Sequence, residues 1–84
     1  MYVVETVGDD IDASIAALPP ELLGPFAELR TALEVSPRTV GRPLAPTNPD
    51  DLRVATIGPI STCQVVFHVL ECDRIVPIVQ VSFL

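Results

Sequence analysis

Eight side chains in this 84-residue sequence have types and positions that could do chemistry, and most of them fall late in the chain. His68 is the only histidine, and imidazole is the side chain whose ordinary pKa suits proton transfer near neutrality. Gln64 and Gln80 are expected beside it on one strand face, which would give a small polar cluster. Arg53, Arg38 and Arg42 are cations able to hold a phosphate and offset the charge that builds on it during transfer. Each has a plainer role as well. A lone histidine on a strand face is usually hydrogen-bonded and solvated, Arg53 has Asp50 and Asp51 as ion-pair partners worth about 0–1 kcal/mol, and Arg38 and Arg42 read as solvated loop charges. Cys63 and Cys72 are expected near opposite ends of one strand, about 30 Å apart at roughly 3.3 Å per residue. That is far beyond the ~7 Å Cα separation a disulfide tolerates, so both thiols should be free, as small apolar side chains. Since His68 lies on the other face from Cys63, no metal site is expected.

The elements that position these residues are clearest in the last third. Asp51 to Leu84 holds three short runs rich in Val, Ile and Phe, separated by Gly-Pro and Glu-Cys-Asp-Arg, the pattern of an antiparallel meander. Residues two apart share a strand face. Val65, Phe67 and Val69 therefore point one way, and Gln64, Val66, His68 and Leu70 the other. In the final strand Val79, Val81 and Phe83 fall together, as do Val76, Ile78, Gln80 and Ser82. Closing the hairpin with Leu70 opposite Arg74 pairs Val65 with Val79 and Gln64 with Gln80, so like faces match across the ladder. A dry face for helices and a mixed face with Gln64, His68, Gln80 and Ser82 follow. Pro77, inside the last strand, is expected at an edge or bulge where its nitrogen owes no ladder bond.

Earlier in the chain, residues 1–7 suit a first strand ended by Gly8. Asp9 and Asp10 offer an N-cap, and Ile11, Ile15 and Leu18 recur at helical spacing until Pro19-Pro20 stops the run. A second helix carries Leu22, Phe26, Leu29 and Leu33 on one stripe. Gly24-Pro25 leaves two starting points open for it, Pro20 or Pro25. From Val35 to Asp50 there is no periodicity, and Pro37, Pro43, Pro46 and Pro49 argue for a long loop, a length that in a small domain favours function or partner contact.

Size and charge narrow the classes. At 9.0 kDa the chain fits one α+β domain, residues 1–84, with a single core. Val54 to Leu70 is too polar and broken for a span of about 20 apolar residues, and no secretory signal is visible. With free thiols, this points to a reducing cytoplasm. The net charge is −6, and it is uneven: residues 1–34 hold seven acids and one arginine. Such a chain repels a phosphate backbone overall, so nucleic-acid contact would have to come from the neighbourhood of Arg38, Arg42 and Arg53. A basic partner is the other way to use that charge.

The order strand, helix pair, proline-bearing loop and three antiparallel strands resembles the RelE/ParE superfamily of bacterial toxins. The text that carries the likeness is Leu-Pro-Pro-Glu at 18–21, Gly-Arg-Pro-Leu at 41–44, Leu-Arg-Val at 52–54, Cys-Gln-Val-Val-Phe-His-Val from Cys63 and Ile-Val-Pro-Ile-Val-Gln-Val from Ile75. The resemblance implies helices packed on one face of the sheet and a place in a type II toxin–antitoxin pair, with an antitoxin protein as partner and no metal or cofactor. RelE-like members cut mRNA in the ribosomal A site, and ParE-like members inhibit DNA gyrase. Cleavage there is metal-independent: the ribose 2′-hydroxyl attacks, cations on the middle strands hold the phosphate, and a residue near the C-terminus assists proton transfer. Carried over, Arg53 matches one basic strand position, Gln64 stands where an arginine is expected, and Ser82, Phe83 and Leu84 fill the closing segment. The expectation is a toxin-family protein that acts by binding an antitoxin, a protein target or a second copy of itself through a strand edge. The alternative is an endoribonuclease acting on ribosome-bound mRNA through Arg53 and His68, with Arg42 assisting.

Overall fold

The structure, a computed structural model, describes residues 1–43, 52–58 and 63–83. Strand β1 (Val3–Thr6) leads into helices α1 (Asp9–Ala16) and α2 (Pro20–Val35). A 3₁₀ turn (Pro37–Thr39), the short strand β2 (Arg42–Pro43), and strands β3 (Leu52–Ile57), β4 (Cys63–His68) and β5 (Ile75–Phe83) follow. The five strands form one sheet in the order β1-β5-β4-β3-β2. This is the expected α+β arrangement of a first strand, a helix pair and a meander.

Helix α2 starts at Pro20 and runs through Pro25. Proline is well suited to the first helical turn, where its missing N–H costs no bond. Pro25 removes one donor, the partner of the Glu21 carbonyl, and Glu21 is exposed to water. Gly24 has no Cβ to meet the proline ring, which eases the helical conformation before it. The stripe Leu22, Phe26, Leu29 and Leu33 is buried as its spacing predicts. It packs on Val65, Phe67, Val76 and Ile78, each 0–1% exposed. Burying a side chain of this size contributes about 1.5–3 kcal/mol. Helix α1 is more shallowly seated: Gly8 precedes it and Ile11 and Ile15 are half-buried against the core.

The β4–β5 register departs from the expected one. Leu70 bridges Ile75, not Arg74, across a turn at residues 71–74 in which Arg74 takes a φ of 54°. After the Phe67–Ile78 pair the ladder shifts, so that Val66 faces Gln80, Val65 faces Val81 and Gln64 faces Ser82. Val79 is the additional residue of this bulge. A bulge reverses the alternation of its strand, and it does so here: Val76 and Ile78 share the helix-covered face with Val81, while Gln80 and Ser82 lie opposite. The expected grouping of Val79 with Val81, and of Val76 and Ile78 with Gln80, is therefore corrected. Pro77 lies on an inner strand, in the stretch where β4–β5 pairing skips from Ile75 to Ile78.

Two pairings have no local signal. β1 lies parallel to β5, with Val3 beside Ile75 and Thr6 beside Ile78. Within the predicted loop, Arg42 and Pro43 pair with Val54 and Arg53. Gly41 permits this: its φ is 66°, and a Cβ there would lie 2.2 Å from the Val54 carbonyl oxygen. The expectations for Pro46, Pro49 and an Arg53 ion pair with Asp50 or Asp51 fall outside the described residues.

Candidate functional site

Residues directly opposite each other in an antiparallel ladder point to the same face, so the register assigns each candidate to a face. On the face away from the helices three rows cross the sheet: Thr56, Gln64 and Ser82; Arg42, Val54, Val66 and Gln80; and Leu52 with His68. Gln64, His68 and Gln80 thus share the open face as expected. Gln80 is tied down there, its Nε2 donating to Ser82 Oγ at 3.0 Å. Toward the hairpin the same face turns apolar, with half-buried Leu70, Ile75 and Pro77 and exposed Val3.

Arg53 goes the other way. It pairs with Phe67, the largest fully buried side chain, and is itself 8% exposed. Its Nε and Nη2 donate to the Val40 carbonyl at 3.2 and 3.1 Å, and Nη2 also to the Gly41 carbonyl at 3.2 Å. A buried guanidinium needs its donors occupied, and the backbone leading into β2 supplies acceptors. Arg53 and His68 therefore occupy opposite faces and do not converge on one substrate.

Arg38 stands apart from both. Its Nε donates to Glu71 Oε1 at 2.6 Å, and the Tyr2 hydroxyl donates to both oxygens of the same carboxylate at 2.9 Å. Arg74 completes the cluster, with its guanidinium carbon 5.9 Å from the centre of the Tyr2 ring. The Arg38 guanidinium, followed by the Tyr2 hydroxyl, holds the Glu71 carboxyl below its ordinary value of 4.5. That same hydrogen bond to Glu71 is the main reason the Tyr2 hydroxyl is pushed up. Sequence reasoning missed this cluster, because its members are joined only when β1 docks beside β5.

The described residues include all five arginines. Arg30 lies on α2, Arg38 and Arg74 cluster around Tyr2 and Glu71, and Arg53 is in the core. Arg42 alone is placed by its strand on the open face. That face accordingly offers one cation, one imidazole, neutral hydrogen-bonding groups and, at its β1 edge, the Glu5 carboxylate among the described residues. It suits recognition by hydrogen bonds and apolar contact better than it suits holding a phosphate, which needs several converging cations or backbone donors. Cys63 is buried and Cys72 exposed, both free, and burial pushes the Cys63 thiol up. Among the described residues no cluster of His, Cys, Asp and Glu could hold a metal ion, and no helix is long and apolar enough to cross a membrane.

No protein-family model matches the chain, and comparison with curated proteins returns no match. Solved structures do match along nearly its whole length. The toxin–antitoxin complex RelBE2 from Mycobacterium tuberculosis aligns with a TM-score of 0.77 at 23% identity, covering 99% of this chain and 98% of the other. A chain of the archaeal RelE–RelB complex from Pyrococcus horikoshii gives 0.69 at 18% identity, with 98% and 93% covered. An arginine-to-alanine double mutant of Escherichia coli toxin RelE, bound to an antitoxin RelBc peptide, gives 0.75 at 14% identity, with 99% and 83% covered. At such identities the likeness is one of fold: this chain has the fold of the RelE toxin–antitoxin structures.

Proposed function

We propose that this chain is the toxin-type member of a toxin–antitoxin pair in the bacterial cytoplasm and that it acts by binding protein, with an antitoxin as its partner. The fold supports the first part, since the structures it matches are complexes with RelB-type antitoxins. The placement of the arginines carries the second. Arg53, which the sequence offers as a phosphate holder, has its guanidinium engaged by the Val40 and Gly41 carbonyls on the helix side, and the open face retains Arg42. A net charge of −6 adds repulsion toward RNA.

Catalytic cleavage has one observation in its favour, the presence of Arg42 and His68 on one face. In that reading His68 moves the proton and Arg42 meets the phosphate, without Arg53. One experiment separates the two. The protein encoded by the neighbouring reading frame is co-purified with this chain, and growth and mRNA 5′ ends are followed when the chain is expressed alone. Stable co-purification without new mRNA ends is the expected result. Ribosome-dependent cleavage that disappears in both Arg42→Ala and His68→Ala would replace it with the nuclease reading.

A further inference from the structure

A cavity of about 460 Å³ opens between α1, α2 and the β1–β5 side of the sheet. Its floor is apolar, made by Val4, Ile15, Phe26 and Ile78, and three of these are 1–8% exposed. Its rim is charged and exposed: Asp12 on one side, Arg30 on the other. Thr6 Oγ1 donates to Asp12 Oδ1 at 2.6 Å and so fixes the carboxylate at the mouth. A carboxylate accepts several hydrogen bonds, so Asp12 keeps acceptor capacity for a ligand. The volume is in the ~300–1,000 Å³ range of binding pockets, and an apolar floor with a few fixed polar groups is their usual lining.

The surroundings specify the occupant's charge. Residues 1–34 carry seven acids and a single arginine, Arg30. Asp9 and Asp10 are exposed on the same helix as Asp12. A second copy of the chain would bring another −6 to this surface, and RNA would be repelled from it. We propose that the cavity receives an apolar side chain from a basic segment of a protein partner, with a Lys or Arg of that segment meeting Asp12. This rests on the toxin–antitoxin reading and assigns the antitoxin a basic contact segment and a seat on the helix side of the sheet, away from Gln64 and His68.

The test uses the isotope-labelled full chain and two probes. The first is a twelve-residue amphipathic peptide of Leu and Lys, compared with the same peptide carrying Glu for Lys. The second is the protein encoded by the neighbouring reading frame. The Leu/Lys peptide is expected to shift the amide signals of Thr6, Asp12, Ile15, Phe26 and Arg30, and the Leu/Glu peptide to leave them in place. Asp12→Arg should weaken binding by about tenfold or more. Asp12→Asn, which keeps an acceptor for Thr6, checks that the loss is not one of folding. Asp73→Arg makes the same charge change on the distant hairpin turn and should alter binding less than about twofold in physiological salt. Equal binding of both peptides, equal loss in Asp12→Arg and Asp73→Arg, or shifts confined to Thr56, Gln64 and Gln80 would overturn the site. If the neighbouring protein binds through the open face, the site falls and the toxin–antitoxin reading stands. If that protein does not bind while the Leu/Lys peptide fills the cavity, the reading falls and the site stands.

Discussion

Arg42 and Arg53 lie on adjacent strands, one step apart in register, and end on opposite sides of the sheet. Arg42 is exposed on the open face; Arg53 is buried beside Phe67 and bound to two backbone carbonyls. The helix-covered face is a continuous apolar core that uses its one arginine to hold the chain entering β2. The open face combines a neutral polar end with an apolar end and leaves its arginine to solvent. The same residue type is structural on one side and available for binding on the other. The difference arises from neighbours, not from strand propensity, which is equal for both.

The largest expected contrast is in thiol reactivity. Cys63 is fully buried on the helix side and Cys72 is exposed on the turn. If Cys63 reacts only through global opening of a domain stable by about 5 kcal/mol, Cys72 should be modified more than a thousandfold faster in a timed thiol assay. Comparable rates would mean that the covered face opens locally. Next comes packing. Phe67→Ala should cost about 3–5 kcal/mol in urea unfolding, and its neighbour His68→Ala about 1 kcal/mol; similar costs would break the division into two faces.

A smaller contrast sharpens the comparison of the arginines. Arg53→Leu strips the donors from the Val40 and Gly41 carbonyls and should cost about 1–3 kcal/mol, while Arg42→Leu should change stability by no more than about 0.5 kcal/mol. Should the two be equal, Arg53 is not holding β2. The smallest effect belongs to the exposed Glu71 cluster. Glu71 has a folded pKa below its ordinary 4.5. Its contribution is thus present above that pH and is lost as pH falls through the folded value. Glu71→Gln should flatten the acid limb of the stability curve below about pH 4.5 without altering its shape near neutrality.

Some of this was legible from residue order. The i, i+4, i+7, i+11 stripe of α2 is buried as read, because helical periodicity follows from the backbone alone. The three strands of the meander stand where their Val, Ile and Phe runs lie, and Gln64, His68 and Gln80 share the open face. The last success is partly compensation: a turn one residue longer than expected offsets the hairpin, and the bulge at Val79 adds a second step, so the polar residues face the same way in a different register. Arg53 was legible only as a cation on a strand. Nothing near it in sequence says that Gly41, twelve residues earlier, brings carbonyls over it.

Sequence by itself determined which segments could be helix or strand and which of their faces are oily, since those depend on spacing and on side-chain chemistry a few residues apart. Tertiary structure decided which arginine is buried, where β1 joins the sheet, and that an apolar cavity with a charged rim forms between β1 and the helices. Each of these is a contact between residues far apart in the chain. Such contacts are fixed by the collective packing of the core and leave no mark in local periodicity.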